Sequence, residues 1–359
     1  MVTDTDLMAR ALVHAARGQG RTTPNPMVGA VVVDSAGVVV GHGWHARAGE
    51  PHAEVHALAA AGNRARGGTL FVTLEPCCHT GRTGPCTREI INAGIARVVT
   101  AMRDPDPRVN GCGMGELRAA GITVVEGVCQ ADAERLNAAF MRVKSERRPL
   151  VIAKAAASLD AKIAVAGRQT RISSPESNRK THQLRASVDA IAVGSGTMLI
   201  DDPLLTARHS HRVRPLVRAI FDRRLRTPAA ARVFTTFGEG PVIMVTSRAA
   251  LRDAANRAAA LERRGATVIA ADDLRAAAEM LLQWDVSTLL VEGGACLHRA
   301  FLEASLVDRM HLIVAPCTLG ADGVPLFAGA GVPRAALTLT TVEPRGSDIW
   351  IEADVHRNH

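Results

Sequence analysis

Between residues 52 and 86 the chain reads HAEVH and then LEPCCHTGRTGPC, which gathers a histidine, two cysteines and an acidic residue into one short stretch. Such a set suits catalytic zinc, because three nitrogen or sulfur ligands leave a fourth tetrahedral position where water loses its proton near neutral pH. The spacing assigns His52, Cys77 and Cys86 as the metal ligands. Glu54 is the informative extra. A closed structural site has no use for a carboxylate two residues from its histidine, whereas hydrolytic removal of an amino group needs a carrier that takes the water's proton and delivers it to the leaving amine.

Zinc deaminases pair H-x-E with P-C-x-x-C, the glutamate remaining outside the ligand set. Here the second cysteine comes later, as C-x8-C, which narrows the reading without removing it. Three other readings compete. His52 and His56 form an i, i+4 pair, but the metalloprotease pattern is H-E-x-x-H and this is H-x-E-x-H. Cys78 or His79 as a fourth ligand would make the site purely structural. Buried free thiols would need no metal at all.

Elements must bring these residues together. Pro51 and Pro85 precede His52 and Cys86, and proline favours the first helical position, so both ligands are expected at helix starts. A helix over residues 51–61 then carries His52 and Glu54, a buried strand over 69–74 delivers Cys77, and a helix over 86–93 is closed by Gly94. Around these the pattern predicts a helix over 4–17, a hairpin of strands 28–33 and 38–40, strands 98–101 and 122–125, and a helix over 115–120. This alternation is an α/β domain, a sheet covered by helices, placed at residues 1–145.

The composition turns charged around residues 144–149 and Pro149 interrupts, marking a boundary. A second α/β pattern over 146–359 has strands at 150–156, 189–193, 216–221, 242–245, 288–291 and 311–314. A length of 359 residues fits two domains. Seven cysteines, an odd number, with no signal-like segment after Met1 and no apolar run of membrane length, argue against disulfides, export and membrane insertion and for a reducing cytoplasm.

The net charge is +8 and the isoelectric point near 9.6, yet arginine is spread along the chain rather than massed. Aromatic residues make up 3% and tyrosine is absent, which leaves little for stacking single-stranded nucleic acid. A small anionic substrate and a phosphorylated cofactor account for the basic balance, with no nucleic acid and no membrane as partners. A monomer and a homo-oligomer both stay open.

Taken in order, TPNPMVGAVVV, GEPHAEVHAL, TLEPCCHTGRTGPC, DPDPRVNG, SLD, ISSPE, DDPLLTAR and VEGG resemble the bifunctional riboflavin-biosynthesis deaminase-reductases over nearly the whole chain. The resemblance implies an N-terminal domain of cytidine-deaminase-like fold, which hydrolyses the 2-amino group of 2,5-diamino-6-(5-phosphoribosylamino)pyrimidin-4-one. It also implies a C-terminal domain similar to dihydrofolate reductase, which uses NADPH to reduce the ribosyl group to ribityl. Motif match places Asn25, His45, His79 and Arg82 against the deaminase substrate, with Arg82 suited to its phosphate or a ring oxygen. Gly84 departs from the proline usual there and loosens the loop before Cys86.

In the second domain the glycines of VEGG end a predicted strand and open a helix, where bare amides and the helix dipole can hold a cofactor phosphate. Gly194-Ser195-Gly196 lacks the third glycine of a dinucleotide fingerprint and is weak alone. The resemblance implies that Ala156, Thr197, Asp201, Gly293 and Gly294 contact NADPH. It implies that Arg185, Leu205, Arg208 and Glu292 contact the phosphoribosyl substrate, with Lys154 near the sugar unless it is a solvated lysine on an edge strand. Two departures remain: Ala161 replaces the glycine of SLDG, and Arg171 replaces a tryptophan and is assigned to the cofactor's 2'-phosphate. The competing readings are a nucleic-acid deaminase, which predicts stacking aromatics, and a non-catalytic structural-zinc module, which predicts four protein ligands.

Overall fold

The computed structural model describes residues 2–79, 84–107, 109–208, 210, 212–329 and 334–356. The chain divides into two compact units, Met1–Glu146 and Arg147–His359.

The first unit runs α1 (Asp4–Ala16), β1 (Gly29–Val33), β2 (Val39–Trp44), α2 (Ala53–Ala61), β3 (Thr69–Val72), α3 (Cys86–Asn92), β4 (Arg97–Thr100), α4 (Cys112–Ala119), β5 (Thr123–Val125), α5 (Gln130–Leu136) and α6 (Ala138–Glu146). Among the described residues five strands form a mixed sheet in the order β2-β1-β3-β4-β5, antiparallel around β1 and parallel from β3 to β5. Every residue of β1 is buried, which is why it reads as an unbroken apolar run rather than an alternating one. Val31, Leu70, Phe71 and Val99 share a core with Met8 and Ala11 of α1 and Ala57 of α2.

Two glycines set how closely α2 can lie on the sheet. A Cβ at Gly41 would stand 2.2 Å from the carbonyl oxygen of Ala57, and one at Gly43 would stand 2.5 Å from that of Ala53. Only bare backbone permits this approach, and it fixes the helix start that carries His52. Helix α2 begins at Ala53, so His52 is its N-cap and Pro51 lies one position outside. His52 makes no capping bond, which leaves its imidazole for other use. Pro85 caps α3, whose first residue is Cys86.

The second unit runs β6 (Leu150–Ser158), β7 (Lys162–Val165), α7 (Pro175–Ser187), β8 (Ala190–Gly194), α8 (Ser195–Asp201), β9 (Val217–Phe221), β10 (Val242–Thr246), α9 (Arg248–Asp253), α10 (Ala255–Arg263), β11 (Thr267–Ala270), α11 (Leu274–Leu281), β12 (Thr288–Val291), α12 (Ala295–Glu303), β13 (Arg309–Ala315), β14 (Gly323–Pro325), β15 (Ala336–Arg345) and β16 (Asp348–His356). Among the described residues nine strands form one sheet in the order β11-β10-β9-β8-β12-β6-β13-β16-β15. The strands from β11 to β13 are parallel, and β16 and β15 close one side as an antiparallel hairpin. β7 and β14 pair separately.

Parallel strands covered by helices need apolar residues on both faces. Ala190, Ala192, Ala219, Leu289 and Val291 are accordingly buried. Open sheets of this kind bind ligands beyond the carboxyl ends of their strands, where Gly194 and Glu292 lie.

A candidate zinc site and a candidate cofactor cleft

In the first unit the start of α2, the loop after β3 and the start of α3 converge. His52 Nδ1 lies 3.1 Å from Cys86 Sγ and 3.7 Å from Cys77 Sγ, and all three donor atoms fall within 4.8 Å of one another. Tetrahedral zinc, bonded at about 2.3 Å to sulfur and about 2.0 Å to nitrogen, sets its ligand atoms roughly 3.5 Å apart. The set therefore fits the metal.

Its electrostatics are consistent with that fit. The Cys86 thiol donates to Cys77 and holds the Cys77 thiol down to about 4 against the effect of burial, with His52 and the Cys86 amide adding to the pull. Cys86 is pushed up by the same bond and by its own burial. Glu54 is 3% exposed, and burial raises its carboxyl while the charge of His52 opposes the rise.

Among the described residues no other cluster of His, Cys, Asp and Glu gathers three donors in this way. Cys78 and His79 stay outside it, and so does His56, which is exposed. Cys78 hydrogen-bonds instead with the thiol of Cys112.

A cavity of about 180 Å³ opens onto these groups and is lined by Asn25, His45, His52, Glu54, Cys77 and His79. Asn25 Nδ2 donates to His45 Nε2 at 3.1 Å, so the ring's Nδ1 donates to the carbonyl of Pro51 at 3.3 Å. His45 meets the His52 ring edge to face, 5.5 Å between centroids. Asn137 holds the loop after Asn25 through paired bonds with the backbone of Met27. Arg82 lies outside the described residues.

The same cavity is lined by Glu75, Asp104, Asp106, Phe140 and Lys144, to which the sequence reading gave no role. Glu75, in LEPCC, accepts bonds from the amides of Gly111 at 2.9 Å and Gly113 at 3.0 Å. It thereby ties the zinc loop to the start of α4. Asp104 and Asp106 belong to DPDPRVNG and Glu75 to LEPCC, so those motifs carry a signal for them, whereas no motif marks Phe140 or Lys144.

In the second unit Arg185 forms a two-pronged pair with Glu292, Nε to Oε1 at 2.8 Å and Nη2 to Oε2 at 2.6 Å. Burial alone would raise the Glu292 carboxyl, but Arg185 and then Lys154 outweigh it and bring the group down to about 2. Lys154 is on β6, an interior strand paired with β12 and β13, which overturns the edge-strand alternative. Burial lowers its ammonium's affinity for the proton, opposed by Glu292. The Arg208 amide donates to His182 Nδ1 at 3.1 Å, and Leu205 is buried with φ at 53°.

A second cavity, of about 790 Å³, lies at the carboxyl ends of β8, β9 and β12. Of the proposed cofactor residues it brings together Thr197, Asp201 and Gly294, and the Gly294 amide donates to Thr197 Oγ1 at 3.3 Å. Gly293 supports it from behind, where a Cβ would stand 2.6 Å from the amide nitrogen of Gly194. Ala156, Gly293 and Arg171 are not among its lining residues, and Arg171 is exposed. The arginines that do line it are Arg168, Arg223, Arg224 and Arg226, the last donating to Ser195 Oγ at 2.6 Å. A largely apolar cleft with a bare helix start and several guanidinium groups fits a phosphorylated dinucleotide.

Comparison with known proteins finds one domain family in each unit. Residues 1–102 match the model of the cytidine and deoxycytidylate deaminase zinc-binding region, and residues 149–351 match that of the RibD C-terminal domain. The chain is 41% identical over 320 residues to riboflavin biosynthesis protein RibD of Aquifex aeolicus, covering 88% of each chain. It is 39% identical over 349 residues to RibD of Escherichia coli, covering 93% of each. Its fold matches Acinetobacter baumannii RibD with a TM-score of 0.88 at 33% identity, covering 99% of both chains. It matches the Thermotoga maritima diaminohydroxyphosphoribosylaminopyrimidine deaminase/5-amino-6-(5-phosphoribosylamino)uracil reductase with a TM-score of 0.87 at 33% identity, covering 98% of this chain and 99% of that one. With likeness of this depth along almost its entire length, the chain belongs to the RibD family of riboflavin biosynthesis proteins.

Proposed function

We propose that the unit Met1–Glu146 hydrolyses the 2-amino group of 2,5-diamino-6-(5-phosphoribosylamino)pyrimidin-4-one. We assign to the unit Arg147–His359 the reduction of the ribosyl group of the product to ribityl with NADPH. The observation that carries this reading is the convergence of His52, Cys77 and Cys86 on one point beside the buried Glu54, at one side of a cavity of small-molecule size.

Zinc, when bound by those three residues, supplies the Lewis acid that makes water acidic near neutral pH. The chain supplies the rest. Glu54 takes the water's proton on its carboxylate and delivers it to the departing amine nitrogen, and its burial suits it to hold that proton between the two steps. Asn25 and His45, linked by their own hydrogen bond, present a fixed polar edge to the ring. His79 and Arg82 complete the binding of this substrate.

NADPH, when bound in the larger cleft, supplies the hydride. Thr197, Asp201, Gly293 and Gly294 place it at the start of α12, and Ala156 is assigned to its contacts by motif alone. Because Arg171 does not line the cleft, we assign the 2'-phosphate to Arg168, Arg223, Arg224 and Arg226. Glu292, locked to Arg185, and Lys154 beside them hold the ribosyl group, with Arg208 and Leu205 at the phosphate end.

The reading takes a small phosphorylated pyrimidine rather than a nucleic acid as the substrate, and a reducing cytoplasm as the compartment. No helix of the described residues is long and apolar enough to cross a membrane. The test is to incubate the purified chain with the diaminopyrimidine, with and without NADPH, following ammonia and cofactor absorbance separately. Ammonia is expected in both arms and cofactor oxidation only after it. Absence of ammonia from zinc-loaded protein would refute the reading.

A further inference from the structure

The deaminase cavity poses a charge problem. Glu54, Glu75, Asp104 and Asp106 all line it, yet the substrate proposed for it carries a phosphate monoester. Among the described lining residues Lys144 is the single lysine or arginine.

Lys144 sits on α6, and its ammonium donates to Asp106 Oδ2 at 2.8 Å while lying 5.5 Å from the centroid of the Phe140 ring. The two side chains are 31% and 10% exposed, whereas Glu54 at the zinc end is 3% exposed. The pair therefore lies on a solvent-reached side of the cavity, from which a highly hydrated phosphate can protrude while the ring faces the metal ligands. Asp106 is itself held in place, since its amide donates to Asp104 Oδ1 at 2.8 Å and the Asp104 amide donates to Glu75 Oε2 at 3.3 Å. That chain of bonds runs back to the zinc loop and ties the ammonium to it.

We propose that Lys144, held by Asp106 and Phe140, binds the phosphate end of the deaminase substrate and so selects phosphorylated over unphosphorylated pyrimidines. This rests on the deaminase reading above and adds a second cation to the one assigned from its motif, Arg82. Lys144 offsets the charge of Asp106 on that side of the cavity and retains hydrogen-bond donors for the phosphate oxygens. Asp106 is the positioning residue of the pair.

The experiment compares wild type, Lys144→Met, Lys144→Arg and Asp106→Asn, all zinc-loaded, on the phosphoribosylamino substrate and on its dephosphorylated counterpart. Lys144→Met is expected to raise KM for the phosphorylated substrate about ten- to a hundred-fold, with kcat within about twofold of wild type. It should leave the dephosphorylated substrate unchanged, and Lys144→Arg should recover most of the loss. Asp106→Asn loosens the ammonium and should raise the same KM less than Lys144→Met does, and in the Lys144→Met background it should lower KM rather than add to the loss, because one negative charge near the phosphate is then gone. Equal effects on both substrates, no effect on either, or fully additive effects of the two substitutions would overturn the proposal. If wild type releases ammonia from neither compound, the deaminase reading itself falls, a result distinguishable from an active enzyme indifferent to Lys144.

Discussion

At the scale of single residues, Glu54 and the three zinc ligands divide the labour and can be separated by substitution. Glu54→Gln keeps the shape and the ligand set, so zinc content should stay at the wild-type level while ammonia release falls on the order of 10²–10⁴-fold. Cys86→Ser removes a ligand and should lose both. Metal analysis beside an ammonia assay distinguishes the two. In the reductase unit the carboxyl of Glu292, brought to about 2, titrates below its ordinary range in the folded chain. As pH falls the unfolded chain binds the proton first, so the stabilisation is full above about pH 4.5 and is lost as pH approaches 2. The shift corresponds to about 3 kcal/mol. The cost of Glu292→Gln, read from urea unfolding, should therefore shrink as the pH is lowered from about 5 to about 3; a cost independent of pH would contradict the charged pair. The convergence of His52, Cys77 and Cys86 was legible in the sequence because each stands at or near the end of an element that the sequence marks. Lys144 and the arginines of the cofactor cleft were not, since nothing in KSERR or DRRLR marks which side chain faces a cavity.

At the scale of elements, the start of α2 is held where it is by the absence of side chains on β2. A Cβ at Gly43 would meet the Ala53 carbonyl at 2.5 Å and the His56 Cβ at 2.6 Å, neither of which can move freely. Gly43→Ala should push the helix outward, cost about 1–3 kcal/mol in unfolding free energy and lower zinc occupancy, since His52 is the N-cap of that helix. Unchanged stability with full zinc would show that the close approach does not position the ligand. Strands such as Thr288–Val291 could be read from sequence because a buried parallel strand is a short apolar run between turn signals. The hairpin Ala336–Arg345 and Asp348–His356 could not. Its outer strand is largely exposed, with Thr338, Glu343 and Arg345 interleaved among Leu337, Leu339 and Val342, and the register shifts between Leu339 and Thr341, so no clean alternation survives. Strand β7 and its partner β14 gave no signal either, because β7 is only half-buried throughout and begins with Lys162, while β14 consists of Gly323, Val324 and Pro325.

At the scale of the whole molecule, two compact units each carry one of the two candidate sites. Damage to one should therefore spare the other. Glu54→Gln should still oxidise NADPH when given the deaminated compound, and Glu292→Gln should still release ammonia from the diaminopyrimidine. Loss of both activities in either variant, with folding intact, would show that the units do not act separately. The division near residue 146 was legible from the charged stretch and Pro149, because chain between two cores has no apolar pattern to keep. The first of the two reactions rests on the site in the first unit, whose central claim is a metal held by three side chains with one position left for water. X-ray absorption at the zinc edge tests it most directly. The account predicts one zinc per chain bound by one imidazole nitrogen, two sulfurs and one light atom; a third sulfur, a second imidazole, or active protein without zinc would contradict it.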